Sequence, residues 1–369
     1  ECFMGGSNQD IHCNITYNTN FLREQNTSKE DSSNQDVFKD SFMEYPSLAE
    51  KNYYVQKFLG KKENIYMFQI YHALWETSVH LKMVDDFSKE NKKSLTKEAY
   101  QWIALGMHPN IVSAYFLRDK QTQLYLLLEP VLGKKLSAIQ LENLSFVDLL
   151  TIVLEIANGL AYLHKNNVVW GNVMPENIIL AEDGRIRLTN IRWQKYQGLE
   201  NLAQGLQSSL YPNIDEDVKE NMKKRMMYLP PEYFLQPHFT PTLSSDIYSF
   251  GVLLYELFVQ KPPYPLDCDF FNLHFIYSYI HRQGNIYANL ENKDLQILIH
   301  SCMEKDPLER PQSMNNIIRI LKRIYKETIN QSYIFELWPE NVTWAMALNN
   351  QALGFIERKE FESAKNIFR

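Results

Sequence analysis

The apolar residues of this chain follow two different periods, and the change between them is what most constrains its fold. Between Tyr53 and Val131 they form five short runs, most of them alternating with polar residues, which is typical of β-strands. Residues 95–106 instead have apolar positions three or four apart, which predicts a helix. After Gly133 the long apolar stretches have helical spacing. The sequence therefore predicts an α+β architecture of two lobes, a small β-rich lobe followed by a helical lobe.

Four main helices are predicted in the second lobe. The first begins after Ser145, a residue type favoured at helix N-caps, and reads FVDLLTIVLEIANGLAYLHKN. Its apolar residues lie on nearly all sides, which indicates a buried helix. The other three helices are expected within residues 242–259, 293–303 and 315–329.

The two ends of the chain differ from its centre. Residues 1–50 are rich in Asn, Ser, Gln, Asp and Glu and predict a mobile polar tail. Residues 328–343 are interpreted as a linker, and in residues 344–369 the small and aromatic residues have the spacing of a tetratricopeptide repeat. The hypothesis is a truncated α-helical repeat hairpin, with further repeats after Arg369; the alternative is an ordinary amphipathic hairpin. Because the chain begins at Glu1, we expect a fragment of a longer protein.

Composition excludes two classes of partner. The net charge of -6 and the isoelectric point near 5.9 give no basic surplus, so neither nucleic acid nor anionic lipid is expected. No apolar run is expected to approach the roughly 18 residues that a membrane helix requires. The four cysteines, which have no C-x-x-C pairing, favour a reducing cytoplasm. Cys2, His12 and Cys13 are interpreted as incidental residues of the polar tail; the alternative is the end of a metal knuckle that the start of the fragment cuts off.

Residues 168–191 read VVWGNVMPENIILAEDGRIRLTNI and carry three asparagines between apolar runs that predict short strands. Asn177 follows Asn172 by five positions, and Asn190 follows it by eighteen. This spacing resembles the catalytic and metal-binding loops of a protein kinase, in which aspartates stand at the first and last of the three positions. The function of the chain therefore depends on what amides at positions 172 and 190 can do.

Residues 51–327 as a whole resemble a serine/threonine protein kinase domain, which implies a kinase-like fold for both lobes. In SVHLKMV, Lys82 stands where the family has its ATP-binding lysine. Glu98, sixteen residues later, stands where the family has the carboxylate that pairs with this lysine.

Three more residues match structural positions of the family. Glu232 in YLPPEYF corresponds to the acid that closes the activation segment, and Arg310 in DPLERP corresponds to the arginine that pairs with it. Asp246 in SSDIYSFG corresponds to the buried aspartate that holds the catalytic loop. These matches imply an intact fold and say nothing about activity.

The residues that phosphoryl transfer requires depart from the family pattern. Asn172 replaces the catalytic aspartate, and the loss of a positioned base typically costs about 10²- to 10⁴-fold in rate. Asn190 replaces the magnesium-binding aspartate, and the lost charge is worth on the order of 4 kcal/mol at about 4 Å and a dielectric constant of about 20. Met174 replaces the lysine that steadies the transferred phosphate. No intact catalytic set and no metal site are predicted.

The nucleotide site is altered as well. Of the glycine-rich motif only Gly60 remains, and the side chains of Lys62 and Ile65 would hinder a close approach to phosphate. His80 stands where the family has a small alanine against the adenine ring, unless the alignment slips by one or the imidazole turns aside. The remaining candidates for nucleotide binding are Gly60, Lys82, Glu98 and Asn177. The resemblance implies ATP and magnesium as cofactors, and these substitutions argue against both.

Large apolar residues stand where the family links its two lobes. Trp170 and Ile191 replace the family's histidine and phenylalanine, and Trp102 is placed to join them beside Ala114. Arg192 replaces the glycine that lets the metal loop flip. We expect the two lobes to be held in one arrangement.

The interpretation that follows is a pseudokinase, a kinase-like module that binds protein partners through its lobe and through the repeat, in the cytoplasm. A weak or unconventional ATP-dependent kinase that uses Lys82, Glu98 and Asn177 is the alternative. A nucleotide-sensing switch without turnover is the second alternative.

Overall fold

The structure is a computed structural model that describes residues 53–62, 64–73, 76–85, 89–120, 123–191, 224–235, 240–263, 290–335 and the positions 352, 362, 365 and 366. The predicted tail (1–50), with Cys2, His12 and Cys13, lies outside the described residues, as does Arg192. Almost all of the predicted repeat (344–369) also lies outside them, so the tail and the repeat stay predictions.

The first lobe is an antiparallel sheet of five strands in the order β1-β2-β3-β5-β4. Its strands are β1 (Tyr53–Lys62), β2 (Ile65–His72), β3 (Thr77–Asp85), β4 (Ala114–Lys120) and β5 (Gln123–Leu128), with helix α1 (Lys89–Ala104) between β3 and β4. The predicted five strands and one helix are confirmed. Successive residues of a strand point to opposite faces of the sheet, so alternating apolar residues predict strands whose two faces have different surroundings.

The two faces of this sheet have separate roles. Val79, Leu81 and Met83 of β3 pack in a small apolar cluster on one face. Since successive strand residues point to opposite faces, His80 and Lys82 lie on the other face. There they pair across the ladder with Leu128 and Leu126, both of which belong to the large core that continues into the helical lobe. β3 therefore presents His80 and Lys82 toward the junction of the lobes.

The second lobe contains four main helices. They are α2 (Phe146–Lys165), α3 (Leu243–Val259), α4 (Lys293–Cys302) and α5 (Met314–Ile329). Ser145 caps α2 in a reciprocal arrangement with Asp148, as its position in the sequence predicted, and Thr242 and Ser245 cap α3 in the same way. α2 is the central element, because its buried residues lie on all sides and it packs against α3, α5 and the strand β8 described below.

The expectation that no segment is long and apolar enough to cross a membrane was wrong for α2. By length and composition this helix passes that test, with a mean hydropathy of 1.7 over its most apolar window. Within the fold, 67% of that window is buried against other parts of the lobe, as in the core helix of a globular domain.

A second, smaller sheet lies beside the three asparagines. It consists of β6 (Gly133–Lys135), β7 (Ile178–Ala181) and β8 (Ile186–Leu188), all antiparallel. β6 was not predicted, because it has no apolar alternation. A Cβ on Gly133 would lie 2.2 Å from the carbonyl oxygen of Leu180, so only glycine lets β6 approach β7.

The end of the second lobe differs from the predicted boundary at residue 327. α5 continues through Ile329 and ends where Asn330 adopts a left-handed conformation (φ 56°), so the first two residues of the predicted linker are helical. Tyr333 then packs edge-on against Tyr325 of the helix. Phe335 lies near His108, with ring centres 6.1 Å apart, and His108 is itself stacked against Tyr162. The start of the predicted linker is thus attached to the lobe.

Candidate functional site

Asp246, in the first turn of α3, holds the start of the 168–191 segment. Its Oδ1 accepts a hydrogen bond from the backbone nitrogen of Gly171 (2.7 Å), and its Oδ2 accepts one from the backbone nitrogen of Trp170 (2.7 Å). Nε2 of His164 lies 2.9 Å from the same Oδ2. The carboxylate is 1% exposed, and charge-assisted bonds of this kind are strong. Asp246 therefore fixes the backbone that immediately precedes Asn172.

A continuous chain of hydrogen bonds joins the first lobe to the three asparagines. Nζ of Lys82 donates to Oδ1 of Asn190 (2.7 Å), and Nδ2 of Asn190 donates to Oδ1 of Asn177 (2.8 Å). Nδ2 of Asn177 then donates to the backbone carbonyl of Asn172 (3.0 Å). Sequence reasoning singled out all four residues, and the structure brings them together. Their connection by hydrogen bonds was not predicted.

Local structure explains why Asn177 and Asn190 meet. Asn177 ends a 3₁₀ turn, Pro175–Asn177, and its backbone carbonyl accepts a hydrogen bond from the backbone nitrogen of Thr189 (3.0 Å). Asn190 follows β8 with a φ of 55°, a left-handed conformation in which asparagine is one of the few well-tolerated residues. The turn and the bend place the two amides side by side.

Asn172 and Met174 stand at the positions where the family has its base and a phosphate-binding lysine. Nδ2 of Asn172 is buried, and no described residue accepts a hydrogen bond from it. An amide has no basic lone pair at neutral pH, so Asn172 cannot take a proton from a hydroxyl. Met174 is buried in the large core, where the family has a lysine directed to phosphate.

Gly60 lies in the hairpin of β1 and β2, directly after a shift in register between Phe58 and Gly60. The ladder between β1 and β2 pairs Gly60 with Met67 and continues to the pair Lys62 and Ile65. At the far end, Nδ2 of Asn64 donates to the backbone carbonyl of Asp85 (2.7 Å), and the backbone nitrogen of Asp85 donates to the carbonyl of Asn64 (3.0 Å). A glycine-rich loop lets the backbone approach phosphate closely because it has no side chains there, and in this hairpin only Gly60 of the three glycines remains.

The other nucleotide candidates lie on β3 and α1. Lys82 is 2% exposed, and His80 is half-buried on the same face. Burial lowers the pKa of His80, which favours the neutral imidazole. Glu98 is half-buried on α1, and its Oε1 accepts a hydrogen bond from Oγ of Ser94 (3.2 Å).

The residues at the metal position do not fit magnesium. This ion requires a nearly octahedral set of oxygens at about 2.0 to 2.1 Å, preferably from carboxylates and phosphates. Oδ1 of Asn177 and Oδ1 of Asn190 already accept hydrogen bonds from protein donors, and neither residue is charged. A cation between them would have to displace the Nδ2 group of Asn190. Elsewhere in the described part of the chain, no cluster of three or more His, Cys, Asp or Glu could hold a metal ion.

Two buried tryptophans hold backbone carbonyls on either side of the junction between the lobes. Nε1 of Trp102 donates to the carbonyl of Val112 (2.8 Å), and Nε1 of Trp170 donates to the carbonyl of Thr189 (3.0 Å), next to Asn190. Both indoles belong to one continuous core with Ile191 and Ala114. The apolar packing was predicted. The two indole hydrogen bonds were missed, because the position of a tryptophan in the sequence does not indicate where its indole N–H points.

Sequence reasoning also missed a buried carboxylate that fixes β8. Oε2 of Glu155, on α2, accepts hydrogen bonds from the backbone nitrogen of Ile186 (2.6 Å) and from Nδ2 of Asn110 (3.1 Å). The carbonyl of Asn110 in turn accepts from the backbone nitrogen of Leu188 (2.8 Å). Burial is the main cause that raises the pKa of Glu155. An acidic residue in the middle of an apolar helix was the signal that could have identified it.

A cavity of about 390 Å³ lies in the helical lobe beside the 3₁₀ turn. Its lining includes two carboxylates, Glu176 and Glu256, together with Tyr228, whose hydroxyl donates to Oε2 of Glu256. Burial raises the pKa of Glu256 to about 7; the nearby Glu176 raises it further, and Lys224 opposes this effect. These residues are far apart in the sequence and were not predicted to form a site.

Comparison with known proteins gives the same family as the fold and the scaffold residues. The family described as protein tyrosine and serine/threonine kinase matches residues 60–321. A probable serine/threonine-protein kinase of Clostridium acetobutylicum is 24% identical over 298 residues, which cover 78% of this chain and 42% of that protein. A probable serine/threonine-protein kinase of Clostridium perfringens is 27% identical over 258 residues, which cover 68% of this chain and 35% of that protein.

The eukaryotic relatives are of the same kind. An Aurora kinase of Candida glabrata is 30% identical over 165 residues, which cover 44% of this chain and 41% of that protein. The chain spans less than half the length of the two clostridial proteins and of this Aurora kinase. With a family match that covers most of the described fold, the chain belongs to the protein tyrosine and serine/threonine kinase family, and its relatives place it with the serine/threonine kinases.

Proposed function

We propose that this chain is a pseudokinase, a member of the kinase family that transfers no phosphate and acts by binding other proteins. The observation that carries the proposal is the hydrogen-bond chain from Lys82 through Asn190 to Asn177. In this chain, the neutral amide of Asn190 stands where the family has a magnesium-binding carboxylate, and it is hydrogen-bonded to Lys82 and Asn177. In addition, Asn172 stands where the family has its catalytic aspartate, so the site has no carboxylate base at that position.

The nucleotide site supports the same proposal. The hairpin at Gly60 is paired and tethered through Asn64 to Asp85, and Lys62 and Ile65 stand where the family has the other two glycines, so side chains hinder a close approach to phosphate. His80 lies on the same face of β3 as Lys82, toward the junction of the lobes, and its imidazole ring stands where the family has the methyl group of an alanine. ATP and magnesium are therefore not proposed as cofactors.

A weak or unconventional kinase is the second candidate. It is favoured by the burial of Lys82 at the position of the family's ATP lysine, within hydrogen-bond distance of Asn190, and by relatives that are named as kinases. Such an enzyme would rely on Lys82, Glu98 and Asn177 and would have no carboxylate base. A nucleotide-sensing switch without turnover would use the same three residues.

The proposed partners are proteins, bound in the cytoplasm through the helical lobe and through the predicted repeat at residues 344–369. In the helical lobe, a cavity of about 390 Å³ between the 3₁₀ turn and α3 offers a concave surface to a partner segment. Its lining carries Glu176, Glu256 and Lys224. Because the pKa of Glu256 is raised to about 7, the acidic groups favour a positively charged partner most strongly above that pH.

Thermal unfolding with ATP, with magnesium, and with both together separates the three functions. The pseudokinase predicts no saturable change in Tm in any of the three titrations, and no release of phosphate. A shift with ATP that does not require magnesium would support the sensing switch instead. A shift that requires both ligands, together with phosphate release, would overturn the proposal.

A restored variant makes the test sharper. Asn172→Asp combined with Asn190→Asp returns the base and the metal carboxylate, yet it should stay inactive because the hairpin and His80 are unchanged. Robust autophosphorylation by this variant would show that the nucleotide site is intact and that only two side chains separate the protein from an enzyme. The matched control is Asn315→Asp, the same chemical change at an exposed position of α5.

A further inference from the structure

We propose that the side-chain NH₂ group of Asn190 replaces the divalent cation of the family, so that the loop between residues 172 and 190 is held closed without any metal. The inference rests on the proposed function and extends it. It states what stabilises the site in the absence of catalysis, and it assigns that role to a single donor group.

The direction of the hydrogen-bond chain is fixed by its two ends. The ammonium of Lys82 can only donate, so the atom of Asn190 that faces it is the oxygen, Oδ1. The backbone carbonyl of Asn172 can only accept, so the atom of Asn177 that faces it is the nitrogen, Nδ2. Oδ1 of Asn177 and Nδ2 of Asn190 therefore face each other, 2.8 Å apart, as acceptor and donor.

An aspartate at position 190 could not complete this chain. An ionised carboxylate has no donor, so one of its oxygens would face Oδ1 of Asn177 across a hydrogen-bond distance. Asn177 could not relieve this contact by rotating its amide, because its Oδ1 would then face the carbonyl of Asn172. A cation could bridge these two opposed oxygens, one from Asn177 and one from the aspartate. The Nδ2 group of Asn190 supplies the positive partial charge at the same place.

Asn190→Asp removes the partial positive charge of the NH₂ group and changes little else in the side chain. The left-handed φ of Asn190 is a conformation that aspartate adopts about as readily, and the two side chains have nearly the same shape. Lys82 would form an ion pair with the new carboxylate, so a change in stability alone is not diagnostic. The diagnostic property is the response to a divalent cation.

The experiment compares wild type, Asn190→Asp and the exposed control Asn315→Asp with no nucleotide present. Each protein is unfolded thermally in EDTA, in about 10 mM MgCl₂ or MnCl₂, and in NaCl of matched ionic strength. Wild type and the control should give the same Tm in all buffers. Asn190→Asp should gain on the order of 3 °C in the divalent salts, saturably.

Two results overturn the inference. One is a saturable shift of the wild type, which would show that a cation competes successfully with Nδ2 of Asn190. The other is a folded Asn190→Asp variant with no response to either cation, which would show that Nδ2 of Asn190 does not occupy a position where a divalent cation can bind.

A direct measurement keeps the inference testable if Asn190→Asp does not fold. Wild-type protein is titrated with MnCl₂ and free Mn²⁺ is measured by its paramagnetic resonance signal. The inference requires that wild type and Asn190→Ala lower the free Mn²⁺ signal equally, because no ion is bound at Asn190. Binding of one Mn²⁺ ion that Asn190→Ala abolishes would overturn the inference but leave the proposed lack of phosphoryl transfer standing, whereas kinase activity would overturn the proposed function itself.

Discussion

Arg310 forms a two-bond ion pair with Glu232, 78 residues away in the chain. Nη1 of Arg310 donates to Oε1 (2.8 Å) and Nη2 donates to Oε2 (2.7 Å), while Nε donates to the carbonyl of Glu304 (2.7 Å). The guanidinium also lies 4.9 Å from the ring centre of Tyr248 on α3. The pair connects the segment that precedes α3 with the turn that precedes α5, and it satisfies the bonding capacity of a cation that is 2% exposed.

Arg310→Lys should lower the free energy of unfolding by about 3 kcal/mol. Lysine keeps the charge but cannot make two parallel bonds to Glu232 and a third to Glu304, so part of the half-buried Glu232 carboxylate loses its partner and the buried cation loses hydrogen bonds. Urea unfolding followed by circular dichroism measures the difference.

The matched control is Arg323→Lys, on the exposed face of α5. Arg323 pairs with Asp294 at 2.8 Å, but both side chains are largely exposed. That change should stay within about 1 kcal/mol of wild type. Equal losses in the two variants would contradict the role assigned to the buried pair.

Trp170→Phe should loosen the segment around Asn190 without dismantling the core. Phenylalanine keeps most of the apolar contact, but the carbonyl of Thr189 loses its donor inside the protein, at a cost of about 1 to 3 kcal/mol. Hydrogen exchange measured by mass spectrometry should show faster exchange in peptides that cover residues 186–191. Wild-type protein should protect this segment strongly, since the lobes are expected to be held in one arrangement.

Trp102→Phe is the comparison for this effect. It removes the same kind of bond from the carbonyl of Val112, so its faster exchange should appear near residues 111–114 instead. The prediction is wrong if both variants loosen the same peptides, or if the wild type already exchanges rapidly near Asn190.

Sequence reasoning found the elements that repeat a simple pattern. The strands of the first lobe followed from alternation, because one face of β3 packs in an apolar cluster and the other faces the junction of the lobes. The cap at Ser145 followed from residue type. The residues of the candidate site came from their spacing in the 168–191 segment, which the family resemblance made interpretable.

What sequence reasoning missed was set by contacts between distant residues. β6 exists because Gly133 permits a backbone approach that no local pattern records. The direction of the bond between Asn190 and Asn177 depends on Lys82, 108 residues before Asn190, and on a backbone carbonyl at position 172. Amide groups can donate or accept, so their chemistry is fixed by neighbours rather than by residue type.

Gly133→Ala should be strongly destabilising, by about 3 kcal/mol, because its Cβ would lie 2.2 Å from a backbone oxygen that cannot move aside. Chemical denaturation tests this. Gly60→Ala is the control, since a Cβ there meets nothing within 4 Å and only the φ of 142° is unfavourable, which costs about 1 kcal/mol. A loss at Gly60 equal to that at Gly133 would contradict the steric explanation for β6.

Glu256→Gln should remove part of the pH dependence of stability. The pKa of Glu256 is raised from its ordinary value of about 4.5 to about 7, first by burial and then by Glu176. The folded protein therefore keeps a proton at this carboxyl that the unfolded chain loses near pH 4.5, so its stabilising contribution is complete below that pH and is lost as the pH rises through 7.

The expected difference can be measured by urea unfolding across the range from about pH 4.5 to about pH 8. Wild type should lose about 2 kcal/mol more than Glu256→Gln over this range, after allowance for the partial exposure of the carboxyl. His108, whose pKa is lowered to about 3 mainly by burial, contributes the opposite slope below pH 6.5, but it is present in both proteins and cancels in the comparison. Glu327→Gln, the same chemical change on the exposed side of α5, is the control variant. If Glu256→Gln loses stability with pH as steeply as the wild type does, burial beside Glu176 does not raise the pKa of Glu256 as the structure indicates.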